Sequence, residues 1–155
     1  MPNHVYSSIS VEEKYADKLK EIAEVGLCRY YLPMPKDLDG SVSGSENLKP
    51  EWQKEKSKEF IEKYGVDNWY DWCCNNWGTK WGCYDNEVDG GLYTFTTAWS
   101  PPCDSIIEKL LNDIPTFDFT WEEEQGFGSE YVFEDGILTS KRQWDLPNWE
   151  EVKNK

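Results

Sequence analysis

The sequence has little of what most catalytic and metal-binding sites require. It holds one histidine, His4, and none of its five cysteines forms a Cys-x-x-Cys pair. The glycine-rich patterns GxGxxG and GxxxxGK[ST], which cradle phosphate groups, do not occur. His4 and the cysteines do not have the spacing of a familiar zinc site, and a Ser–His–Asp or Cys–His arrangement would have to use His4. We therefore expect a protein without enzymatic activity, metal or cofactor.

Basic residues are also scarce. Sixteen Lys and Arg face thirty Asp and Glu, which gives a formal net charge of −14. This balance argues against direct binding to nucleic acid or to an anionic membrane, both of which require clustered cations. It is compatible with a partner protein that is itself basic. The N-terminal residues have neither a basic start nor an apolar block of signal-peptide type, so we expect a cytoplasmic protein.

Tryptophan is abundant, and it is concentrated in one stretch, residues 65–84. This stretch holds four of the nine tryptophans and three of the five cysteines. A helix with Asp67 as its N-cap, ending near Trp77, would place the aromatic residues and Cys73–Cys74 on one arc. Asn76 falls within that arc, so its amide must bond to backbone or face a ligand. We expect the thiols to be reduced and mostly buried.

Hydrophobic periodicity and turn residues predict one domain over residues 1–145, with a loosely attached tail at 146–155. A capping box at Ser10 and Glu13 is expected to begin the first helix. The loop at 36–49, rich in Gly, Ser and Asp, is expected to be mobile. The predicted elements, in order, are a strand (2–10), a helix ending at Gly26, an extended run (27–32), helices at 51–64 and 67–77, strands at 79–88 and 92–99, a helix begun by 100–102, and strands at 116–122, 130–133 and 137–144.

This order predicts an α+β fold. With the helical, tryptophan-rich insertion at about 50–78 removed, the remainder follows the ferredoxin-like split βαβ plan. That plan has one antiparallel sheet with its helices on one face. The last two strands add a C-terminal hairpin.

Four motifs together resemble a known family, and they are MetProAsnHisVal at 1–5, LeuProMetPro at 32–35, AsnTrpTyrAspTrp at 68–72 with AsnTrpGlyThrLysTrp at 76–81, and ThrAlaTrpSerProPro at 97–102. The chain is similar to the YubB-like, ferredoxin-like domain family encoded by bacteriophages and conjugative plasmids. The resemblance covers nearly the whole chain. It implies a phage or plasmid accessory protein in a bacterial cytoplasm, and it implies no catalytic residues.

The candidate ligand site follows from the second tryptophan motif. Gly78 permits a sharp turn, so that Trp77 and Trp81 come from different elements with polar residues between them. Two partly exposed rings would stack on a planar base, while a cation would contact phosphate. The alternative is that these tryptophans belong to the core. The residues assigned to the ligand site are Asn76, Trp77, Thr79, Lys80, Trp81 and Trp99.

Two hypotheses follow. In the first, the protein is a non-catalytic counter-defence factor that sequesters a small nucleotide immune signal in an aromatic pocket, as a homo-oligomer. This requires that Lys80 be joined by other cations, for which Lys36, Lys141 and Arg142 are candidates. In the second, the acidic surface imitates DNA or otherwise blocks a basic host protein. A third alternative is docking of a host protein on a sheet edge or on the loop at 36–49.

Overall fold

The computed structural model describes residues 3–144. The predicted tail at 146–155 lies outside the described residues. Short 3₁₀ turns occur at Glu13–Tyr15, Lys36–Leu38 and Glu46–Leu48. The longer elements are β1 (His4–Val11), α1 (Ala16–Val25), α2 (Leu27–Tyr31), α3 (Glu51–Tyr64), α4 (Trp69–Asn76), β2 (Tyr84–Asp89), β3 (Leu92–Ala98), α5 (Asp104–Asp113), β4 (Phe117–Glu123), β5 (Gly128–Glu134) and β6 (Ile137–Trp144).

The six strands form one antiparallel sheet in the order β2-β3-β1-β4-β5-β6. Strand β1 lies between β3 and β4, while β2 and β3 form a hairpin at one edge. This is the strand order of the split βαβ plan, with α1 and α5 as the two crossover helices. Strands β5 and β6 extend the sheet beyond β4. The predicted α+β, ferredoxin-like fold with an added C-terminal hairpin is confirmed.

The core lies on one face of the sheet. Alternate strand residues such as Ile9, Phe95 and Phe119 point to this face and are almost completely buried. The helices contribute buried aliphatic residues to the same cluster, including Leu19 from α1 and Leu110 from α5. Each such side chain contributes about 1.5–3 kcal/mol on burial. The opposite face of the sheet carries mainly hydroxyl and carboxylate side chains.

Residues 27–32, predicted to be extended, instead form helix α2 and its C-cap. Gly26, at a φ of +98°, ends α1, and α2 begins at the next residue. Leu27 and Cys28 are both fully buried. Neighbouring residues of a strand point to opposite faces, whereas a short helix in a corner of the core can bury both. This explains why a helix replaces the predicted strand.

The N-terminus of the tryptophan-rich helix also differs from the prediction. Helix α4 begins at Trp69, and its N-cap is Asn68, whose side-chain oxygen accepts from the Asp71 amide at 2.8 Å. Asp67, predicted to be the cap, is buried instead. Its carboxylate accepts from Lys49 Nζ at 2.9 Å and from Ser57 Oγ at 2.7 Å. A charged partner on an adjacent segment thus replaces the capping interaction.

The loop at 36–49 is anchored at several points. Leu38 is fully buried, and the Ser41 hydroxyl accepts from the Trp69 amide at 2.8 Å. Gln53, also fully buried, accepts from the Val42 amide and donates to the Val42 carbonyl. These bonds hold the loop against α3 and the start of α4.

Several other boundaries of strands and helices differ from those predicted. Strand β1 continues to Val11, because Val11 pairs with Phe117 of β4 and its amide donates to the Gly91 carbonyl at 2.8 Å, and α1 begins only at Ala16. No cap from Ser10 forms. Strand β2 begins at Tyr84 rather than at Thr79. No helix between residues 3 and 144 is long and apolar enough to cross a membrane.

Candidate ligand-binding site

An exposed group of aromatic residues surrounds one lysine near the β2 edge of the sheet. We call Tyr70, Lys80, Trp81 and Trp99 the aromatic cluster. The Lys80 ammonium lies 4.6 Å from the centre of the Trp81 ring, 5.1 Å from that of Trp99 and 5.8 Å from that of Tyr70. Trp81 and Trp99 are 41% and 45% exposed. Cation–π contacts therefore organise a cluster that is open to solvent.

A glycine turn carries the chain from α4 into the aromatic cluster. Gly78 has a φ of +77°, and a Cβ at this position would lie 2.9 Å from the Cβ of Cys103. The Cys103 amide donates to the Trp77 carbonyl at 2.9 Å, and the Ser100 hydroxyl donates to the Gly78 carbonyl at 2.7 Å. These contacts hold the turn against the segment after β3, which brings Lys80 next to Trp99.

Trp99 has an unusual backbone conformation. Its φ is +70°, in the left-handed region that bulky residues rarely adopt. Its amide donates to the Asn3 carbonyl at 2.8 Å, which holds the residue beside the start of β1. Such a conformation costs about 1–3 kcal/mol, and strained residues of this kind concentrate at functional sites. Here the strain places a large ring at the surface.

The structure does not bring Trp77 and Thr79 into the exposed site. Trp77 is completely buried, and its ring packs edge-to-face on Trp72 with centroids 5.2 Å apart. Its indole N–H donates to the Leu32 carbonyl at 2.7 Å. Thr79 is 1% exposed. The predicted sandwich of a base between Trp77 and Trp81 is therefore corrected, because Trp77 belongs to the core.

Asn76 has a local role. Its amide Nδ2 donates to the Trp72 carbonyl at 2.9 Å, one turn back in α4. The amide predicted either to bond to backbone or to face a ligand thus bonds to backbone within its own helix. Of the six predicted residues, the structure brings together three in the aromatic cluster, namely Lys80, Trp81 and Trp99, and Tyr70 is added to them.

The aromatic cluster continues along the edge of the sheet. Trp81 contacts Tyr84 edge-to-face at 6.3 Å, and Tyr84 contacts His4 at 5.9 Å. The Tyr84 hydroxyl and His4 Nδ1 are 2.6 Å apart and share a hydrogen bond. Tyr6, which is 54% exposed, lies 6.5 Å from His4. A line of rings therefore leads from Trp81 to Tyr6 on β1, and the Lys80 ammonium connects it to Trp99 and Tyr70.

Two of the three cations expected to join Lys80 lie far from it. Lys141 lies over the Tyr131 ring at 5.4 Å, and Arg142 contacts Glu130 at 3.6 Å. Both are on β6, at the edge of the sheet opposite β2. Five strand spacings of about 4.8 Å separate the two edges by roughly 24 Å. Lys141 and Arg142 therefore cannot contact a small ligand held by Lys80.

Cys73 and Cys74, beside the cluster, are not activated nucleophiles. Burial raises the pKa of the Cys73 thiol to about 12, against the opposing effect of the Arg29 charge. Burial and the nearby Asp71 carboxylate raise the pKa of Cys74. Both thiols are protonated at neutral pH, and the thiolate is the reactive form. In residues 3–144, no group of three or more His, Cys, Asp or Glu is arranged to hold a metal ion.

A second concavity, which the sequence did not indicate, lies between α5 and the added hairpin. It is a groove of about 330 Å³. The rings of Phe119 and Tyr131 stack in it at 6.0 Å, and Asp104, Glu108 and Lys141 lie at its rim. Helices α1 and α5 pack over the first four strands and do not cover the hairpin that follows. The aromatic side of β5 therefore remains partly exposed. The alternation of aromatic residues in β4 and β5 was the available signal.

Comparison with known proteins gives little further information. No family model matches the chain, and no curated protein matches it. Among solved structures, the chain is similar to protein api92 from Yersinia pseudotuberculosis, which is described with the family model DUF1281. The identity is 7%, the match covers 96% of this chain and 100% of that chain, and the TM-score is 0.48. Similarity at this level does not extend to site residues or activity.

Proposed function

We propose that this protein is a non-catalytic binding protein that captures a small nucleotide at the aromatic cluster. The observation that carries this proposal is the pair of exposed tryptophans, Trp81 and Trp99, that both contact the Lys80 ammonium. Their rings are 41% and 45% exposed, and both lie within about 5 Å of the same cation.

This arrangement suits a ligand that has both a planar ring and a negative charge. A base that stacks on Trp81 or Trp99 gains about 1–3 kcal/mol per ring. Lys80, displaced from the ring faces, would form a charge-assisted hydrogen bond with phosphate. This function would explain the strained backbone at Trp99, because that conformation places at the surface a ring that does not pack in the core.

The affinity is limited by the shortage of cations. Two stacking contacts and one charged hydrogen bond together contribute about 3.5–9 kcal/mol, which sets micromolar binding as the upper bound. A homo-oligomer that brings two aromatic clusters together would increase the affinity, because one ligand could contact two weak sites at once.

The motif resemblance supports a setting for this binding. A phage or plasmid protein in the bacterial cytoplasm that holds a nucleotide without altering it would lower the free concentration of an immune signal. The mechanism is stoichiometric, so it depends on protein abundance and affinity rather than turnover.

A thermal-shift screen with recovery of the ligand tests this function. The purified chain is melted with a panel of linear and cyclic nucleotides, and each hit is then extracted after denaturation and identified by mass. A raised melting temperature with an intact nucleotide supports capture. A chemically changed nucleotide would show that the protein is an enzyme. The absence of any shift across the panel at millimolar concentration would refute nucleotide capture.

A second candidate function, blocking a basic host protein, is favoured by the uncovered face of the sheet. A shallow concavity there is lined by hydroxyl side chains and by Glu87 and Glu122. Glu130 lies on the same face, since it pairs in register with Thr120. Binding of a basic partner at this face should weaken steeply with added salt. Glu87→Gln with Glu122→Gln should weaken it further, whereas Trp81→Ala should not.

A further inference from the structure

Two cysteines that are distant in sequence lie side by side in the core. Cys28, at the start of α2, and Cys83, just before β2, are 55 residues apart, and their Sγ atoms are 3.7 Å apart. The other three thiols contact different groups. Cys73 Sγ contacts Met34 Sδ at 3.9 Å, Cys103 Sγ contacts the Asn76 carbonyl at 3.2 Å, and Cys74 contacts Tyr70.

A hydrogen-bond chain keeps Cys28 and Cys83 together. The Leu27 amide donates to the Tyr93 hydroxyl at 3.2 Å, and that hydroxyl donates to Asn86 Oδ1. Asn86 Nδ2 then donates to the Cys83 carbonyl at 3.4 Å. Tyr93 itself is completely buried. The backbone before Cys28 and the backbone of Cys83 are therefore both linked to the Tyr93 side chain of β3, the second of them through Asn86.

We propose that Cys28 and Cys83 are a redox-sensitive pair that forms a reversible disulfide with a small disulfide such as oxidised glutathione as the oxidant. Cys83 is half-buried and Cys28 is fully buried, so the first attack comes from Cys83. Its thiolate breaks the glutathione S–S bond, forms a mixed disulfide and releases one glutathione thiol, which takes up the proton that Cys83 lost.

The second step closes the cross-link. Contact with Cys83 and burial raise the pKa of the Cys28 thiol, so this is the slow step. The Cys28 sulfur loses its proton, attacks Cys83 Sγ and displaces the second glutathione as a thiol. The two cysteines together lose two electrons and two protons, and one glutathione disulfide becomes two thiols. The approach needed is short, since a disulfide bond of about 2.05 Å replaces a 3.7 Å contact.

The cross-link would fasten the segment that presents the aromatic cluster. Residues 77–83 carry Lys80 and Trp81, and one end is already held by the bond between Cys103 and Trp77. The disulfide would hold the other end to α2. Its effect on nucleotide binding rests on the proposed function, whereas formation of the disulfide does not.

Thiol counting and peptide mapping of the full chain test the proposal. After equilibration with oxidised glutathione and removal of excess reagent, the denatured chain should show three free thiols instead of five. Its mass should fall by about 2 Da, and one disulfide-linked pair of peptides should contain Cys28 and Cys83. Its melting temperature without reductant should rise by roughly 5–15 °C, because the cross-link closes a long loop of the unfolded chain.

Variants distinguish this pair from general oxidation. Cys28→Ser should stop at a glutathione mixed disulfide on Cys83, while Cys103→Ser should still form the cross-link. Tyr93→Phe removes the hydroxyl that ties the two backbones and should slow the second step at least several-fold. Five remaining thiols after equilibration, or a cross-link between any other cysteines, would overturn the proposal. Peptide mapping of the unaltered chain decides this even where a variant fails to fold.

Discussion

The buried carboxylate of Asp67 gives a prediction whose size follows from its contacts. Asp67 and Lys49 have side chains only 8% and 10% exposed, and the ion pair between them is 2.9 Å long. Asp67→Asn keeps the shape but removes the charge. A hydrogen bond to a charged group contributes about 1.5–3 kcal/mol, so losing the Lys49 bond and weakening the Ser57 bond should cost about 2–4 kcal/mol. For a chain of this size, the melting temperature should fall by roughly 5–15 °C.

The same carboxylate makes the stability depend on pH in a defined direction. Burial by itself would raise the pKa of Asp67, but bonds from Ser57, Asn68 and Lys49 hold it below its ordinary value of 3.8. A lowered pKa in the folded state stabilises the protein above the unfolded value, and this stabilisation is lost as the pH falls through the folded value.

Thermal melts from pH 7 to pH 2.5 provide the assay. The difference in melting temperature between the unaltered chain and Asp67→Asn should be constant above about pH 5 and should narrow below pH 4. Asp39→Asn, a change at an exposed carboxylate, is the matched control and should follow the unaltered chain. A difference that stays the same down to pH 2.5 would refute the reasoning, as would an Asp67→Asn variant as stable as the control.

Two further predictions concern the turn that leads into the aromatic cluster. Trp77→Ala removes a completely buried ring and should lower the free energy of unfolding, measured in urea, by about 3–5 kcal/mol. Trp81→Ala, at an exposed ring, should change it by less than about 1 kcal/mol. Equal losses in the two variants would contradict the assignment of Trp77 alone to the core. Gly78→Ala forces a Cβ to within 2.9 Å of Cys103 at a φ of +77° and should lower the free energy of unfolding by about 1–3 kcal/mol, measured in the same way. Gly65→Ala is the control, because Gly65 also has a positive φ but a Cβ there would meet no other atom.

The topology was predictable because its signals are local. Apolar alternation and the turns at 89–91 and 135–136 define two hairpins, and Pro101–Pro102 followed by an apolar stripe defines α5. Where the prediction was wrong, a distant partner decides the structure. Leu27 and Cys28 form a helix because both are buried against the core, and Asp67 meets Lys49 rather than an amide of its own helix.

The candidate site was only half predictable, for a related reason. Helical periodicity correctly puts Trp77 on the apolar side of α4, but its depth depends on the Leu32 carbonyl, 45 residues earlier. Lys80, Trp81 and Trp99 come together through the contacts of Gly78 and Cys103, which spacing alone does not reveal. The groove beside α5 exists because the added hairpin has no helix of its own in the described chain.

The most direct test of the central claim is isothermal titration of a nucleotide found in the thermal-shift screen into matched tryptophan variants. Trp81→Ala and Trp99→Ala should each weaken binding by about 5- to 150-fold, which corresponds to the loss of one stacking contact. Trp52→Ala removes a ring of similar exposure, 40%, on α3 and should leave the affinity unchanged. Equal affinity in all four proteins, or a loss in Trp52→Ala alone, would show that the aromatic cluster is not the nucleotide site.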